Sequence, residues 1–474
     1  MNYEFFLSKE DHRSYSLLKY LEESSNLSEP ILKIQEELSL STFLLKKTIE
    51  NLNYDIETLG LNQHLKIQTT GTEVSLEIDG KYSSGCLLSN YIKRSIYLDL
   101  LIEFFREDYT TLEVFADEHH ISYSSAYTIL QELKKVLKKH QIFFDKKRLY
   151  GNKINITIFY YQLFLIADIP YQKVYPDATI ETVSEFVCLL SQEFSLSVYE
   201  KKKLFHYFSV HLLAEKSKSL EINQNILSFF STAEVEKMEQ LLEPASKNFV
   251  YVVLIWLYLN DKLIQKYVKK NEDEMIKKLN DHFIQNFEKR FKPLTEEIVV
   301  AIRRELSKIH FNVLCYPINK FAEFTINIYF FRQNYPEFYF YLLDYINLMT
   351  AEYKELSRDK VFLFFSYLML IINHVPVQLI SDSVKVGIDF SYGSAYNQFI
   401  KKNLGLYINL NVEVVDDEQS AYTDVVITNM NNLYGESSPQ VVVWLNPPRP
   451  VDWGNLTKIL LKIQEEKYKN SQNN

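Results

Sequence analysis

Apolar side chains recur at i, i+4, i+7 and i+11 over Leu45, Ile49, Leu52 and Ile56, and the same spacing returns at Ala126, Leu130, Leu133 and Leu137. That period draws one buried stripe along a helix and leaves the opposite face free. The stripes belong to two segments offset by 81 residues, EPILKIQEELSLSTFLLKKTIENL from Glu29 and TTLEVFADEHHISYSSAYTILQEL from Thr110. Each begins with a short amphipathic helix ending in acids, Glu36-Glu37 and Asp117-Glu118. A tight turn with an aliphatic and a serine follows, Leu40-Ser41 and Ile121-Ser122, and the serine is placed to cap the second helix. Two helices, a short turn and a free outer face describe a helix-turn-helix.

Alternating sequence follows each copy. Leu65-x-Ile67, the turn residues Thr69-Thr70-Gly71-Thr72 and Val74-x-Leu76-x-Ile78 predict a β-hairpin. Phe143-Phe144, a tip near Tyr150-Gly151-Asn152 and Ile154-x-Ile156-x-Ile158 predict a second one. A hairpin directly after a recognition helix is the wing of a winged helix. The competing reading is a pair of helical hairpins packed on their neighbours, and two copies in register, each with a wing, weigh against it.

Downstream the pattern is helical from Phe159 to about Val377, as in Phe249–Lys270, Glu274–Phe291 and Lys360–His374. Two helical bundles with a boundary around Gln265–Asp273 are the simplest division. After Pro376, Val384–Ile388 reads as a short buried strand, Asp389–Gly393 as a loop and Ser394–Leu404 as a helix. Strand-like runs at Leu406–Val415, Asp424–Thr428 and Gln440–Leu445 precede a last helix, Asn455–Lys467. Strands alternating with helices predict a small α/β domain with a parallel sheet. The fold class expected is mainly α and multidomain, with winged modules at 1–80 and 81–160, bundles at 161–270 and 271–380, and an α/β domain at 381–474.

Composition changes this picture little. Glycine (10) and proline (12) are scarce among 474 residues while Tyr (34) and Phe (32) abound, which favours long helices with packed cores. Cys86, Cys188 and Cys315 form no pair with metal or redox spacing, and no signal peptide or bilayer-length apolar run is visible. A reducing cytoplasm and no membrane contact are therefore expected.

Charge does change it. The net charge of −9 argues against an all-over basic coat, but phosphate contact depends on one face. From Ser122 to Lys153 eight basic residues (Lys134, Lys135, Lys138, Lys139, Lys146, Lys147, Arg148, Lys153) meet two acids (Glu132, Asp145), a balance of +6. From Ser41 to Thr72, Lys46, Lys47 and Lys66 meet Glu50, Asp55 and Glu57, a balance of zero. The second module is thus expected to supply most of the affinity for duplex DNA. Residues near the start of a recognition helix reach base edges, which selects Ser124, Ser125, Tyr127, Thr128 and Gln131. Lys134, Lys135, Lys146, Lys147 and Arg148 are placed for phosphate. In the first module the candidates are Thr42, Lys46 and Lys47.

Two winged modules, two helical bundles and a small α/β tail, in this order, resemble the Mga/AtxA family of virulence regulators of Gram-positive bacteria. The resemblance covers essentially the full chain and rests on architecture rather than on one invariant signature. It implies a transcription regulator, most often an activator, that forms dimers or higher oligomers. It further implies that the bundles are phosphotransferase-system regulation domains and that the tail is similar to an enzyme-IIB domain. The implied partners are double-stranded DNA, a second copy of the chain, the phosphotransferase phosphocarrier protein and, indirectly, RNA polymerase.

The sequence departs from that pattern. By rough alignment the phosphorylated histidines of such bundles fall near Lys202 and Met369, neither of which can form a phosphohistidine; His206, His211 and His374 are the neighbouring candidate phosphoacceptors. The loop that carries the nucleophilic cysteine of an enzyme-IIB domain reads Asp389-Phe390-Ser391-Tyr392-Gly393-Ser394, without cysteine. Phosphoryl transfer is therefore expected to be lost. A sugar-sensing phosphorelay protein is disfavoured on the same ground. An RNA-binding antiterminator also carries paired regulation domains but begins with a β-rich RNA-binding domain, which the helix-turn-helix repeat contradicts. No glycine-rich phosphate loop, H-E-x-x-H or cysteine pair is present, and His119-His120 lacks further ligands nearby, so neither an enzyme nor a metal or cofactor site is expected.

Overall fold

The computed structural model describes residues 2–24, 26–145, 148–216, 226, 229–263, 274–321, 331–332, 334–376, 383–408, 410–415, 423–431, 440–444 and 447–472. It is mainly α-helical and divides into two compact units, residues 1–271 with 316–323, and residues 272–315 with 324–474. The expected bundle boundary at Gln265–Asp273 lies outside the described residues.

The first unit opens with helix α1 (Lys9–Glu23), strand β1 (Ser28–Pro30), α2 (Ile31–Glu37) and α3 (Thr42–Thr58). The hairpin β2 (Leu65–Thr70) and β3 (Glu73–Ile78) follows, with β1 added on β3 to give the order β1-β3-β2. Alternation sets its register: Leu65, Ile67, Val74 and Leu76 point inward and are buried. Helices α4 (Ser84–Lys93) and α5 (Ile96–Arg106) lead to α6 (Leu112–Glu118), α7 (Tyr123–Lys138) and a shorter hairpin, β4 (Ile142–Phe144) with β5 (Leu149–Gly151).

Ile154, Ile156 and Ile158 do not continue the hairpin; Lys153–Ile166 forms helix α8, its first turn capped by Asn152 Oδ1, which accepts from the Asn155 N–H at 2.9 Å. Thr157 through Leu165 are all buried, so this helix has no polar face to set a 3.6-residue period. An alternating triplet at the head of a mostly apolar segment fits either element, and burial on every side decides for the helix.

Helices α9 (Tyr171–Val174), α10 (Asp177–Glu193), α11 (Val198–Lys216), α12 (Thr232–Leu241) and α13 (Lys247–Leu259) build the bundle of this unit. The expected Phe249–Lys270 helix ends at Leu259, with Asp261 in a left-handed conformation (φ 57) just beyond, and residues 264–270 lie outside the described set. Residues 316–321 complete this core: Gln162 Nε2 donates to the Ile318 carbonyl at 3.0 Å, and Phe321 meets Phe159 edge-on at 5.5 Å.

The second unit contains α14 (Glu274–Arg290), α15 (Glu296–Leu314), α16 (Pro336–Glu352) and α17 (Lys360–His374) around Phe283, Leu306, Tyr345 and Tyr367. Its tail runs β6 (Val384–Asp389), α18 (Ser394–Tyr407), β7 (Val412–Val415), β8 (Val425–Thr428), β9 (Gln440–Val443) and α19 (Pro450–Gln472). The four strands are parallel in the order β7-β6-β8-β9, and the sheet packs on Ile400, Leu404, Leu456 and Leu460. Leu406 and Tyr407, expected to open a strand, instead close α18.

Candidate nucleic-acid interface

The two helix-turn-helix segments repeat down to single hydrogen bonds. In the first, the Leu40 N–H donates to the Gln35 carbonyl at 2.9 Å; 81 residues on, the Ile121 N–H donates to the Ala116 carbonyl at 2.9 Å. Ser39 (φ 52) and His120 (φ 54) both turn the chain through the left-handed region. Ser41 Oγ accepts from the Leu44 N–H at 3.2 Å, and Ser122 Oγ accepts from the Ser125 N–H at 3.1 Å, so each serine caps its second helix. A helix that begins at a fixed angle presents the same side chains outward in both copies.

The inner stripe of α7 is Ala126, Leu130, Leu133 and Leu137, all buried. Its outer face carries Ser124, Ser125, Tyr127, Thr128, Gln131 and Lys135, all exposed, with Lys134 half-buried. The hydroxyls at its start are partly engaged: Ser124 and Ser125 share hydrogen bonds with Ser122 Oγ at 2.9 and 2.8 Å, and Thr128 Oγ1 donates to the Ser124 carbonyl at 2.9 Å. Gln131 makes no side-chain hydrogen bond among the described residues, which leaves both donors and acceptor of its amide for a base edge. Tyr123, which the sequence reading passed over, stacks against Tyr127 at 6.4 Å with half its surface exposed. Phe43, 74% exposed at the start of α3, was passed over too. Both lie off the apolar stripe, and an aromatic at such a position was the available signal.

Charge pairing separates the modules further than charge counting did. Lys46 reaches Glu50 at 4.0 Å and Lys47 reaches Glu10 at 3.2 Å. Hydrogen bonds from Lys47, then from Asn51, hold the Glu10 carboxyl below the usual carboxylate range. Thr42 Oγ1 accepts from Gln35 Nε2 at 2.9 Å. By contrast, Lys134, Lys135, Lys138, Lys139 and Arg148 have no ion pair among the described residues. Cations without intramolecular partners can exchange their counterions for phosphates at no cost in broken pairs. Lys146 and Lys147 lie outside the described residues.

The second wing is a short antiparallel hairpin that follows α7. Ile142 pairs with Gly151, Phe143 with Tyr150 and Phe144 with Leu149, and Arg148 is exposed beside this hairpin. A cluster around the buried Asp55 and Tyr91 also joins the two modules. Arg94, just after α4, donates to both Asp55 oxygens (2.9 and 3.1 Å) and to Asp11, while Tyr91 Oη donates to Asp55 at 2.8 Å. Burial and then the Asp55 carboxylate push the Tyr91 hydroxyl well above its ordinary pKa, so it remains a donor. Asp55 lies on α3, and this bidentate fork ties the first recognition helix to the second module.

The histidines singled out from sequence lie elsewhere. His206 and His211 are fully buried on α11. His206 Nδ1 bonds the Tyr175 hydroxyl at 2.9 Å, and His211 sits between the Tyr207 carbonyl and the Tyr316 hydroxyl. Burial, with Lys202 adding to it, pushes His206 down to about 3, and burial pushes His211 down to about 4. In this conformation neither ring is open to a phosphoryl donor. His374, at the end of α17, is half-buried and lowered by burial, then by Arg304 and Lys308. In the tail, Asn429 accepts from the Ser391 N–H at 3.0 Å and donates to its hydroxyl at 2.8 Å, bracing the loop after β6. Among the described residues no His, Cys, Asp and Glu cluster could hold a metal, and no helix is long and apolar enough to cross a membrane.

Comparison with known proteins converges on the same segment. The family model of the Mga helix-turn-helix domain matches residues 81–164, a stretch that holds α4 through β5 and most of α8. No curated protein matches the chain. Residues 81–164 are thus similar to the helix-turn-helix domain of the Mga regulators, a likeness that supports DNA binding by this segment.

Proposed function

We propose that this protein is a cytoplasmic transcription regulator, acting as an activator of virulence or carbohydrate-linked genes, that grips duplex DNA through both winged modules. In this reading α7 enters the major groove, with Gln131, Thr128, Tyr127, Ser124 and Ser125 at base edges. Lys134, Lys135, Lys146, Lys147 and Arg148 lie along the phosphates, and Thr42, Lys46 and Lys47 make the lesser contribution of the first module. The observation that carries it is the exposed outer face of α7 with cations that lack partners among the described residues, beside the matching but internally paired face of α3.

A gel-shift titration on duplex DNA across roughly 50 to 200 mM salt tests it, since the logarithm of the affinity falls linearly with log salt, with a slope proportional to the phosphates neutralised. Replacing Lys134, Lys135 and Arg148 with alanine is expected to weaken binding to all duplexes and to lower the salt slope by about one per lost phosphate contact. An unchanged slope refutes the assignment. Lys46→Ala with Lys47→Ala is expected to change it less. Self-association through the C-terminal half belongs to the same reading; a chain ending at Pro376 is expected to show a lower mass by light scattering, and an equal mass removes the tail from that role. Control by the phosphocarrier protein, if it operates, would require opening of the helices around His206 and His211 or use of His374.

A further inference from the structure

A cavity of about 840 Å³ opens beside the second wing, within the first unit. One wall is the wing itself, Arg148 to Gly151, together with the end of α5; the other comes from α8, α9 and α11. Its apolar lining includes Phe104, Tyr160, Val174, Tyr175 and Val210, all buried. These walls are held in place: Tyr160 Oη donates to the Leu101 carbonyl at 3.2 Å, Tyr175 bonds His206 at 2.9 Å, and Phe104 meets Phe144 edge-on at 5.2 Å. Preformed clefts of several hundred Å³ that set apolar walls against a few convergent polar groups are the form that small-molecule sites take, and here polar and apolar surface line the cleft in similar measure.

The polar rim indicates the ligand. Arg106 and Asp108 line the cavity and neutralise one another at 2.9 Å. Arg148 and Lys153 line it without an ion pair among the described residues, opposed by one carboxylate in the same state, Glu107. Lys153 is also the first residue of α8, whose partial positive end adds to the field of the two cations.

We propose that this cavity binds a small organic anion, with its aromatic or branched apolar body against Tyr160, Tyr175 and Val210 and its acidic group between Arg148 and Lys153, and that the bound anion shifts the affinity of the second wing for DNA. The coupling rests on the DNA-contacting role proposed for Arg148: one guanidinium cannot serve a ligand and a DNA phosphate together. By linkage, the ligand and DNA then weaken each other's binding by the same factor.

The test uses the full-length chain and 8-anilinonaphthalene-1-sulfonate as probe, with N-phenyl-1-naphthylamine as its neutral counterpart. Fluorescence titration without DNA is expected to give one saturable anion site per chain, with the neutral probe weaker by about tenfold, as the loss of a charge-assisted contact implies. Arg148→Ala with Lys153→Ala should weaken the anion by about tenfold and leave the neutral probe unaffected. Val210→Trp should abolish binding by filling the cavity, and Gln172→Trp, at its exposed lip, should do so without disturbing the core. Several sites per chain, equal binding of the two probes, or undiminished binding to the Gln172→Trp chain overturns the site. In gel shifts, saturating anion should reduce DNA affinity in the parent chain and not in Gln172→Trp; no reduction overturns the coupling. A chain that takes up the probe as described but never retards duplex DNA overturns the proposed function instead.

Discussion

Gly151 shows how one residue fixes the wing. Its φ is 127, outside the range open to side chains, and a β-carbon built there would stand 2.2 Å from the Gln141 carbonyl oxygen. That oxygen is not free to withdraw, because it accepts from the Asn152 N–H at 3.0 Å, and Gln141 is itself left-handed at φ 61. The strand must therefore close against the end of α7 with no side chain between them. Gly151→Ala is expected to destabilise the first unit by roughly 1–3 kcal/mol, the usual cost of a strained backbone position. It should also weaken DNA binding by more than Gly71→Ala, whose site at the first wing's tip is equally left-handed (φ 60) but has nothing within 4 Å. Urea unfolding and gel shifts on both variants check this, and equal effects at the two glycines would contradict it.

At the scale of elements, the recognition helices were legible because their burial is one-sided: an apolar stripe at a 3.6-residue period has a single reading. Their caps were legible because serine before a helix start has a local role. Helix α8 was not, since burial on all faces erases the period and leaves Ile154, Ile156 and Ile158 looking like a strand. The charge balance of the two modules was legible by counting, but the pairing of Lys47 with Glu10 from another helix was not. The junction between the winged modules was equally hidden: Asp55 stands beside the apolar stripe of α3 as one more acid in sequence, and only the fold brings Arg94 and Tyr91 to it. Arg94→Ala leaves that buried carboxylate with one donor and is expected to cost about 1.5–3 kcal/mol, the range for hydrogen bonds to charged groups. Asp55→Asn in the same chain should recover part of the loss by removing the stranded charge. A double-mutant cycle by urea denaturation measures both, and additive effects would show that the pair does not couple.

For the molecule as a whole, buried neutral histidines set a direction for its response to acid. His206 and His211 in the first unit are pushed down to about 3 and about 4, and burial, with His282 adding to it, pushes His310 in the second unit down to about 3. His310 is fully buried and bonded on both nitrogens, to Asn280 Oδ1 and the Tyr367 hydroxyl at 2.7 Å each. An unfolded chain protonates each of them near 6.5. Above that value both states are neutral and the histidines favour neither. Below it the unfolded state takes up protons that the folded state excludes, so stability falls with falling pH until the folded values are reached. Between pH 7.5 and 5.5 each of these three groups is expected to cost roughly 1.4 kcal/mol, so the first unit, with two such rings, is expected to lose more than the second, where the half-buried His374 adds in the same direction. The tryptophans report the units separately, with Trp256 in the first and Trp444 and Trp453 in the second. Urea unfolding followed through Trp256 in a chain lacking the other two should therefore move further with acid than unfolding followed through Trp444 and Trp453. His310→Gln, which retains hydrogen-bonding capacity without titrating, should reduce only the second response. Equal or absent shifts would mean that these rings are protonated in the fold, and the packing described around His206, His211 and His310 would then be wrong.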